Sequence, residues 1–307
     1  MTEQHDKTLI VIVGPTGSGK TDLSLDVAQY FHSPIISTDS RQFYRGIPIG
    51  TAQPTAEELQ MAEHHFIADR ELKDDFNSGA YETEAMSRLE ELFQKHDIVV
   101  AVGGSGLYIK ALCEGMDDLP EVDPRLREEL NSRCKAEGVE ALAEELRSLD
   151  PDFYEVVDRK NPARVVRALE VCISTGKTYS SLRSGVKRQR PFNIIKIAVN
   201  MDREVLYDRI DLRVDKMVQA GLYDEALKVY PLRELNALQT VGYREWFDHF
   251  DGKISREEAI ELIKRNSRRY AKRQLTWFRA DKDFEWFEPS ETEKILEYID
   301  SKICTLK

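Results

Sequence analysis

Short apolar runs alternate with amphipathic stretches along much of the chain. The runs are LIVIV (9–13), PIIST (34–38), DIVVAV (97–102), IIKIAV (194–199) and FEWF (284–287). Uninterrupted apolar runs of this length are typical of strands that a parallel sheet buries on both faces. The stretches between them carry apolar residues at helical spacing. The pattern therefore predicts an α/β fold built on a parallel sheet.

One long stretch, residues 116–192, interrupts this alternation. It has no convincing strand, and it contains three pairs in which a capping residue precedes a proline: DP at 123, DP at 150 and NP at 161. Such pairs are typical of helix starts, with the proline at the first helical position. We expect an all-helical domain at 116–192, inserted into a core made of 1–115 and 193–307, whose C-terminal part is also helical.

The first apolar run leads into GPTGSGKT, which matches the phosphate-loop pattern G-x-x-x-x-G-K-[ST]. Its glycines let backbone N–H groups point inward at a helix N-terminus, where the helix dipole favours an anion. Lys20 adds a positive charge, and the Thr21 hydroxyl is placed to bind Mg²⁺. The core is therefore expected to resemble P-loop NTPases. The predicted diphosphate site consists of Gly14, Pro15, Thr16, Gly17, Ser18, Gly19, Lys20 and Thr21.

The third apolar run does not carry the acid that a typical P-loop ATPase uses to hold its metal. It continues directly into Gly103 and Gly104, whereas Asp39 follows the second run. An aspartate at the carboxyl end of a strand can face the ligand. Asp39 can equally be a turn former or an outer-sphere metal ligand, and the residues alone leave these alternatives open.

Charge changes the picture of possible partners. The 307 residues include 44 Lys and Arg against 55 Asp and Glu, a net charge of −11 that argues against a polyanionic partner. Two basic stretches depart from this background, RSGVKRQR (183–190) and KRNSRRYAKRQLTWFR (264–279). The second interleaves Tyr270, Trp277 and Phe278 with basic residues, namely Lys264, Arg265, Arg268, Arg269, Lys272 and Arg273. It predicts either a surface that follows phosphates or a solvated face that balances acidic helices.

Location and redox state follow from what the sequence lacks. No run approaches the roughly 18 apolar residues of a membrane span, and the first residues lack a signal-peptide pattern. We expect a cytoplasmic protein that does not bind membranes and acts as a monomer. The four cysteines lie far apart without a C-x-x-C pair, so we expect reduced, packed thiols. They are Cys113, Cys134, Cys172 and Cys304.

Six motifs together resemble one family. They are GPTGSGKT, STDSRQFYRGIPIGTAQP, VGGSGLYIKAL, NPARVVRALEVCISTGKTYS, TVGYRE and AKRQLTWFR. In this order and at these spacings they are similar to the bacterial tRNA dimethylallyltransferases, also called tRNA isopentenyltransferases, over nearly the whole chain. The departures are Gln53, where the family usually has Lys, and Ser105, where Thr is commoner.

The resemblance implies transfer of a dimethylallyl group from dimethylallyl diphosphate to N6 of the adenosine at tRNA position 37, beside the anticodon. Diphosphate leaves, so the phosphate loop would hold a leaving group, with Mg²⁺ as cofactor and the tRNA anticodon stem-loop as partner. Asp39 would be the general base. Lys20, Thr21 and Arg213 would stabilise the diphosphate, although Arg213 and Arg209 could instead be an exposed i, i+4 pair that matches acids.

The resemblance also implies a set of tRNA contacts. Gly242 would allow close backbone approach there, with an ordinary turn as the alternative. The implied tRNA-binding residues are Asp39, Ser40, Arg41, Gln42, Ser105, Arg127, Ala163, Arg164, Val165, Val166, Arg167, Gln239, Thr240, Val241, Gly242, Tyr243 and Arg244.

Three other functions compete with this one. A small-molecule P-loop kinase would share the phosphate loop and the sheet, but would not need the basic segment at 264–279. A prenyltransferase acting on free adenine nucleotides would keep Asp39 and lose the tRNA-facing surface. A nucleotide-dependent RNA-binding protein without activity is the third. Incubation with dimethylallyl diphosphate and either AMP or unmodified tRNA separates them.

Overall fold

A computed structural model describes residues 6–183 and 185–306. The chain divides into two compact units, one made of Met1–Glu114 with Gln189–Lys307 and the other of Gly115–Arg188. The first unit contains a six-stranded parallel sheet in the order β3-β2-β4-β1-β5-β6. The strands are β1 (Thr8–Val13), β2 (Ile35–Ser37), β3 (His64–His65), β4 (Ile98–Gly103), β5 (Asn193–Val199) and β6 (Glu285–Phe287).

Both units contain helices. In the first unit they are α1 (Lys20–Phe31), α2 (Pro48–Thr51), α3 (Ala56–Met61), α4 (Ser78–Phe93), α5 (Gly106–Glu114), α11 (Arg203–Gln219), α12 (Leu222–Val229), α13 (Arg244–Phe250), α14 (Arg256–Ala280) and α15 (Thr292–Leu306). In the second unit they are α6 (Pro124–Glu137), α7 (Val139–Leu149), α8 (Pro151–Val156), α9 (Pro162–Thr175) and α10 (Tyr179–Leu182). No helix in the described part of the chain is long and apolar enough to cross a membrane.

The sheet is buried on both faces, as the apolar runs predict. All six residues of β1 are buried. Its odd-numbered residues from Leu9 pack in one hydrophobic cluster with α4, α5 and α14, and its even-numbered residues pack in another with α1 and α15. The expected α/β fold class, with its parallel core and helical C-terminal part, is confirmed.

Two sequence-based expectations about the first unit need correction. Strand β3 was not expected, because its two half-buried histidines have no apolar signal and only its pairing with β2 makes it a strand. Packing was expected for every cysteine. Cys113 and Cys172 are buried, but Cys304 is exposed near the end of α15, on the side turned away from the sheet.

The second unit is entirely helical and has its own hydrophobic core. Leu142, Leu146 and Leu169 are buried at its centre. The three helix starts expected from cap-proline pairs are confirmed, because Asp123, Asp150 and Asn161 each accept a hydrogen bond from a first-turn N–H of α6, α8 and α9.

A buried carboxylate joins two helices of this unit. Glu170 on α9 is fully buried and accepts hydrogen bonds from Arg127 on α6 at 2.7 and 2.8 Å and from Arg167 at 2.5 Å. Burial alone raises the pKa of Glu170, but the bonds from the two arginines outweigh it, and the pKa lies below its usual range. The ionised form is therefore stabilised by folding.

We predict that Glu170→Gln lowers the free energy of unfolding of the protein at neutral pH by about 1.5–3 kcal/mol, the worth of hydrogen bonds to a charged group. Because the folded pKa is depressed, the difference from wild type is present above the unfolded pKa of glutamate and disappears as pH falls through the folded value. Denaturant titrations between pH 3 and 7 measure it. Exposed Glu129 on α6 offers the control Glu129→Gln, and equal effects of both variants would contradict the prediction.

Candidate active site

Three loops meet at the carboxyl edge of the sheet. The phosphate loop, Gly14–Thr21, follows β1; residues 38–42 follow β2; and residues 104–106 follow β4. Strand β4 lies between β1 and β2, so its loop lies between the other two. Parallel strands bring their carboxyl ends to one edge, which is where open α/β sheets bind ligands. Predicted site residues that are far apart in the chain therefore lie together at this edge of the sheet.

The phosphate loop has the conformation that its sequence predicts. Gly17 and Gly19 adopt positive φ angles of +81° and +85°, which residues with side chains rarely adopt. Lys20 and Thr21 begin α1, and no side chain caps this helix N-terminus. The first N–H groups of α1 are therefore available to an anion. Within residues 6–183 and 185–306, the single hydrogen bond that Lys20 Nζ donates is a long one of 3.3 Å, to the Pro15 carbonyl.

Lys20, Arg213 and Asp39 interact electrostatically with one another. Burial and then repulsion from Arg213 lower the pKa of Lys20 to about 8, while Asp39 acts in the opposite direction. Burial also lowers the pKa of Arg213, and Asp39 again opposes it. Among the described residues Arg213 forms no ion pair closer than 4 Å with any carboxylate. Two desolvated cations with one carboxylate form a site that an anion would stabilise.

The structure bears on one of the alternatives that the sequence left open for Asp39, that of a turn former. Its Oδ1 accepts a hydrogen bond from the Arg41 N–H at 3.1 Å, so the residue does shape its own turn. Its other carboxylate oxygen accepts no hydrogen bond from the residues that the structure describes. That oxygen remains available to a ligand beside Lys20 and Arg213.

Two residues of this site were missed by the sequence analysis, and both lie on α14. Tyr270 lies beside Ser105 and Asp39; burial and then the charge of Asp39 raise the pKa of Tyr270 to about 12, while Ser105 acts in the opposite direction. Gln274 contacts both the phosphate loop and the loop after β4. Ser105 also accepts a hydrogen bond from the Ser40 N–H at 3.0 Å. Tyr270 and Gln274 are four positions apart, which places them on one face of the helix, and this spacing was the available signal. The basic residues around them pointed instead to a surface role.

Arg209 is exposed, but its guanidinium lies near the phosphate loop. A Cβ built on Gly19 would be 3.6 Å from the Arg209 guanidinium. Arg209 and Arg213 lie on the same helix, α11, and the diphosphate role expected for Arg213 stays a prediction.

The residues of the first unit that the resemblance implies in tRNA contact differ in exposure. Gln239 and Arg244 are exposed, whereas Tyr243 is fully buried and its hydroxyl donates to Glu225 at 2.6 Å. Gly242 has a φ of +98°, which favours glycine, and no described protein atom lies within 4 Å of a built Cβ. Gln42 is held by Ser37 and Ala52 through both ends of its amide.

The residues of the second unit that the resemblance implies in tRNA contact also differ in exposure. Ala163 and Arg164 are exposed on the first turn of α9. Val165 and Val166 are at most 4 % exposed and belong to the hydrophobic core of this unit. Their side chains pack against protein, so this stretch presents Ala163 and Arg164 to solvent instead.

The basic helix α14 is only partly a free surface. Lys264 and Arg268 pair with Asp215 and Asp211 of α11 at 2.8 and 2.5 Å. In the middle of α14 the exposed basic residues are Arg265, Arg269, Lys272 and Arg273, and Arg256 and Arg279 near its ends are exposed as well. Ion pairs within the protein thus account for Lys264 and Arg268, and the role of the exposed residues stays a prediction.

The other basic stretch, 183–190, is also partly structural. Arg190 is buried and donates to Glu82 at 2.8 Å and to the carbonyl of Leu112 at 2.9 Å. Arg188 pairs with Asp118 at 2.6 Å. Ser184 lies outside the described residues.

The fold and the site define a P-loop-type α/β protein in which Asp39, in the loop after β2, lies close enough to Lys20 of the phosphate loop to interact with its charge. A family model described as IPP transferase matches residues 42–281, and the chain belongs to this family. Similar proteins include tRNA dimethylallyltransferase 1 of Bacteroides fragilis, 51% identical and covering 97% of this chain and 99% of its own. The tRNA dimethylallyltransferase of Christiangramia forsetii is 52% identical, with the same coverage.

Solved structures give the same result. The tRNA isopentenylpyrophosphate transferase of Bacillus halodurans is 38% identical with a TM-score of 0.73, covering 98% of both chains. A eukaryotic dimethylallyltransferase acting on tRNA is 27% identical with a TM-score of 0.77, covering 94% of this chain and 75% of its own. The family resemblance inferred from the six motifs is confirmed.

We predict that the affinity for inorganic diphosphate weakens as pH rises through about 8, because Lys20 loses its charge in that range. Calorimetric titrations of wild type and Lys20→Met at each pH measure this, since the ratio of the two dissociation constants cancels the titration of the ligand itself. The ratio should shrink toward unity above pH 8. A ratio that stays constant and above unity between pH 6.5 and 9.5 would show that Lys20 does not titrate in this range, and a ratio of unity throughout would show that Lys20 does not contact the ligand.

Proposed function

We propose that this chain transfers the dimethylallyl group of dimethylallyl diphosphate to N6 of the adenosine at tRNA position 37, releasing diphosphate. We further propose that it acts as a monomer in the cytoplasm, with the helical unit as an inserted tRNA-contacting domain. The observation that carries the proposal is the cluster of Lys20, Arg213 and Asp39 beside the phosphate loop. It provides cations for a diphosphate and a base for an amine within one site.

The phosphate side of the site stabilises the leaving group. As the bond between the allylic carbon and oxygen breaks, negative charge grows on the diphosphate and positive charge on the allyl group. Lys20, Arg213 and the N–H groups at the start of α1 are already oriented toward that negative charge. Such preorganised groups stabilise a transition state without further reorganisation. Arg209 adds a third cation next to Gly19.

The acceptor side of the site activates the adenine amine. An exocyclic amine of adenine is a weak nucleophile, because its lone pair is delocalised into the ring. The unbonded oxygen of Asp39 accepts one of its protons as the new C–N bond forms. A stacked base cannot reach this oxygen, so the adenosine leaves the stack and enters a pocket beside Ser40 and Ser105.

The residues present fit a magnesium ion held mainly by the substrate. Among the described residues no group of three or more His, Cys, Asp or Glu side chains converges to hold a metal. Thr21 has a hydroxyl without a hydrogen-bond partner in the described chain, and Asp39 lies nearby. Magnesium in such sites takes one or two protein ligands and completes its shell with phosphate oxygens and water. When bound, it neutralises diphosphate charge.

The alternatives are less favoured. The similar curated proteins are named for tRNA and not for free nucleotides. Four exposed basic residues on α14 provide a phosphate-binding face that a small-molecule kinase does not need. Incubating the protein with dimethylallyl diphosphate and either unmodified tRNA or AMP tests the proposal directly. Prenylation of AMP at the rate of tRNA would overturn it.

We predict that Asp39→Asn lowers the single-turnover rate at saturating substrates by roughly 10²- to 10⁴-fold, because the amide cannot accept a proton. Both substrates should still bind. Asp26→Asn, on the exposed face of α1, is the matched control. The rates are measured over a range of Mg²⁺. A variant that extra Mg²⁺ restores to the wild-type rate would identify Asp39 as a metal-shell ligand instead.

We predict that reversing the charges of exposed Arg269, Lys272 and Arg273 weakens tRNA binding and flattens its salt dependence. Each lost phosphate contact should reduce the slope of log K against log salt by about 0.7–0.9. Arg268 is left unchanged, because its pairing with Asp211 has a structural role. Reversal of Lys282, Lys294 and Lys302 in the C-terminal segment alters net charge equally. If both triple variants lose affinity alike, the α14 face makes no specific contact.

A further inference from the structure

Gln274 connects two loops of the active site through one buried amide. Its Oε1 accepts a hydrogen bond from the Thr16 N–H of the phosphate loop at 2.9 Å. Its Nε2 donates to the carbonyl of Gly104, in the loop after β4, also at 2.9 Å. The side chain is 5 % exposed, and both ends of the amide are satisfied. A side chain so placed is costly to bury unless both bonds form.

The fit around this amide is close. A Cβ built on Gly104 would lie 2.2 Å from Gln274 Nε2, so only glycine leaves room for the amide. The same face of α14 contacts the two following residues. Tyr270 lies beside Ser105, and the Trp277 indole packs against Gly106, where a built Cβ would be 2.3 Å from the ring. Gln274 is therefore held from both sides and has little freedom to turn.

The engagement of Thr16 affects what the phosphate loop can offer a ligand. Its N–H is directed at Gln274, and the Ser18 N–H is directed at the Pro15 carbonyl at 3.2 Å. The start of the loop is thus held by protein groups before any ligand binds. The N–H groups left for an anion are those at the end of the loop and the start of α1, beside Lys20. A loop held in its bound conformation loses less entropy on binding.

We propose that Gln274 is a positioning residue that fixes the phosphate loop against the loop after β4 and thereby sets diphosphate affinity. It does not touch the reacting atoms. It acts through Thr16 on one side and Gly104 on the other, so both halves of its amide are required. This inference rests on the proposed function, in which the loop holds diphosphate.

Gln274→Glu tests the two bonds separately from the shape of the side chain. A protonated glutamic acid can accept from the Thr16 N–H and donate to the Gly104 carbonyl, as glutamine does. An ionised carboxylate has no proton to donate and faces the Gly104 carbonyl with a second oxygen. Burial raises the pKa of a carboxyl group, which brings this titration into the range of normal assays. Gln274→Met removes both bonds at every pH.

The measurement is calorimetric titration of each variant with inorganic diphosphate between pH 5.5 and 8.5, with the ratio to wild type taken at each pH. We expect Gln274→Glu to bind roughly 10- to 100-fold more weakly at pH 8.5, the loss of a buried hydrogen bond to a polar group. It should recover toward wild type at pH 5.5, whereas Gln274→Met stays weak throughout. In turnover, KM for dimethylallyl diphosphate should rise more than kcat falls.

Controls separate positioning from a general structural role. Thr276→Ala, on the exposed side of α14, should bind as wild type does. If Gln274→Met binds diphosphate like wild type, or if Gln274→Glu loses affinity without recovery at low pH, the inference is overturned. Wild type that fails to bind diphosphate at all would overturn the proposed function itself, which distinguishes the two failures.

Discussion

Two desolvated cations and one carboxylate at the carboxyl edge of the sheet are the constraint around which the first unit is organised. Lys20 and Arg213 repel each other, and Asp39 offsets only part of the cost of burying them. Such a cluster persists because helices on both sides hold it: α1 supplies Lys20, and α11 supplies Arg213. An anionic ligand relieves the repulsion, so the energy stored in the unliganded site becomes binding energy for a diphosphate.

Helix α14 serves this cluster in two ways. Its buried face carries Tyr270 and Gln274 into the loops of the site, and its exposed face carries free basic residues. Two other basic residues of α14, Lys264 and Arg268, pair with acids of α11 and fix the helix in place. The net charge of −11 therefore conceals a local basic surface. Distribution of charge, and not its sum, decides which partner a surface can accept.

The helical unit is stabilised in a different way. It buries its own apolar core and encloses a fully buried carboxylate, Glu170, which two arginines satisfy. Arg127, one of these two, was predicted from resemblance as a tRNA contact, and half of its side chain is exposed. The pairing with Glu170 holds the guanidinium in place and leaves part of it accessible to an RNA phosphate. The structural role of Arg127 is therefore compatible with the tRNA contact that the resemblance implies.

The sequence alone determined five of the six strands, the phosphate loop and the helix starts of the second unit, and it singled out Asp39 as a candidate site residue. These follow from local patterns: apolar runs, glycines that permit positive φ, and caps followed by proline. Only the tertiary structure revealed Gln274 and Tyr270 as parts of the site, and the buried positions of Val165 and Tyr243. Gln274 lies 258 residues from Thr16 along the chain. No local pattern encodes that contact, because strand order and helix packing decide which distant side chains reach the same edge of the sheet.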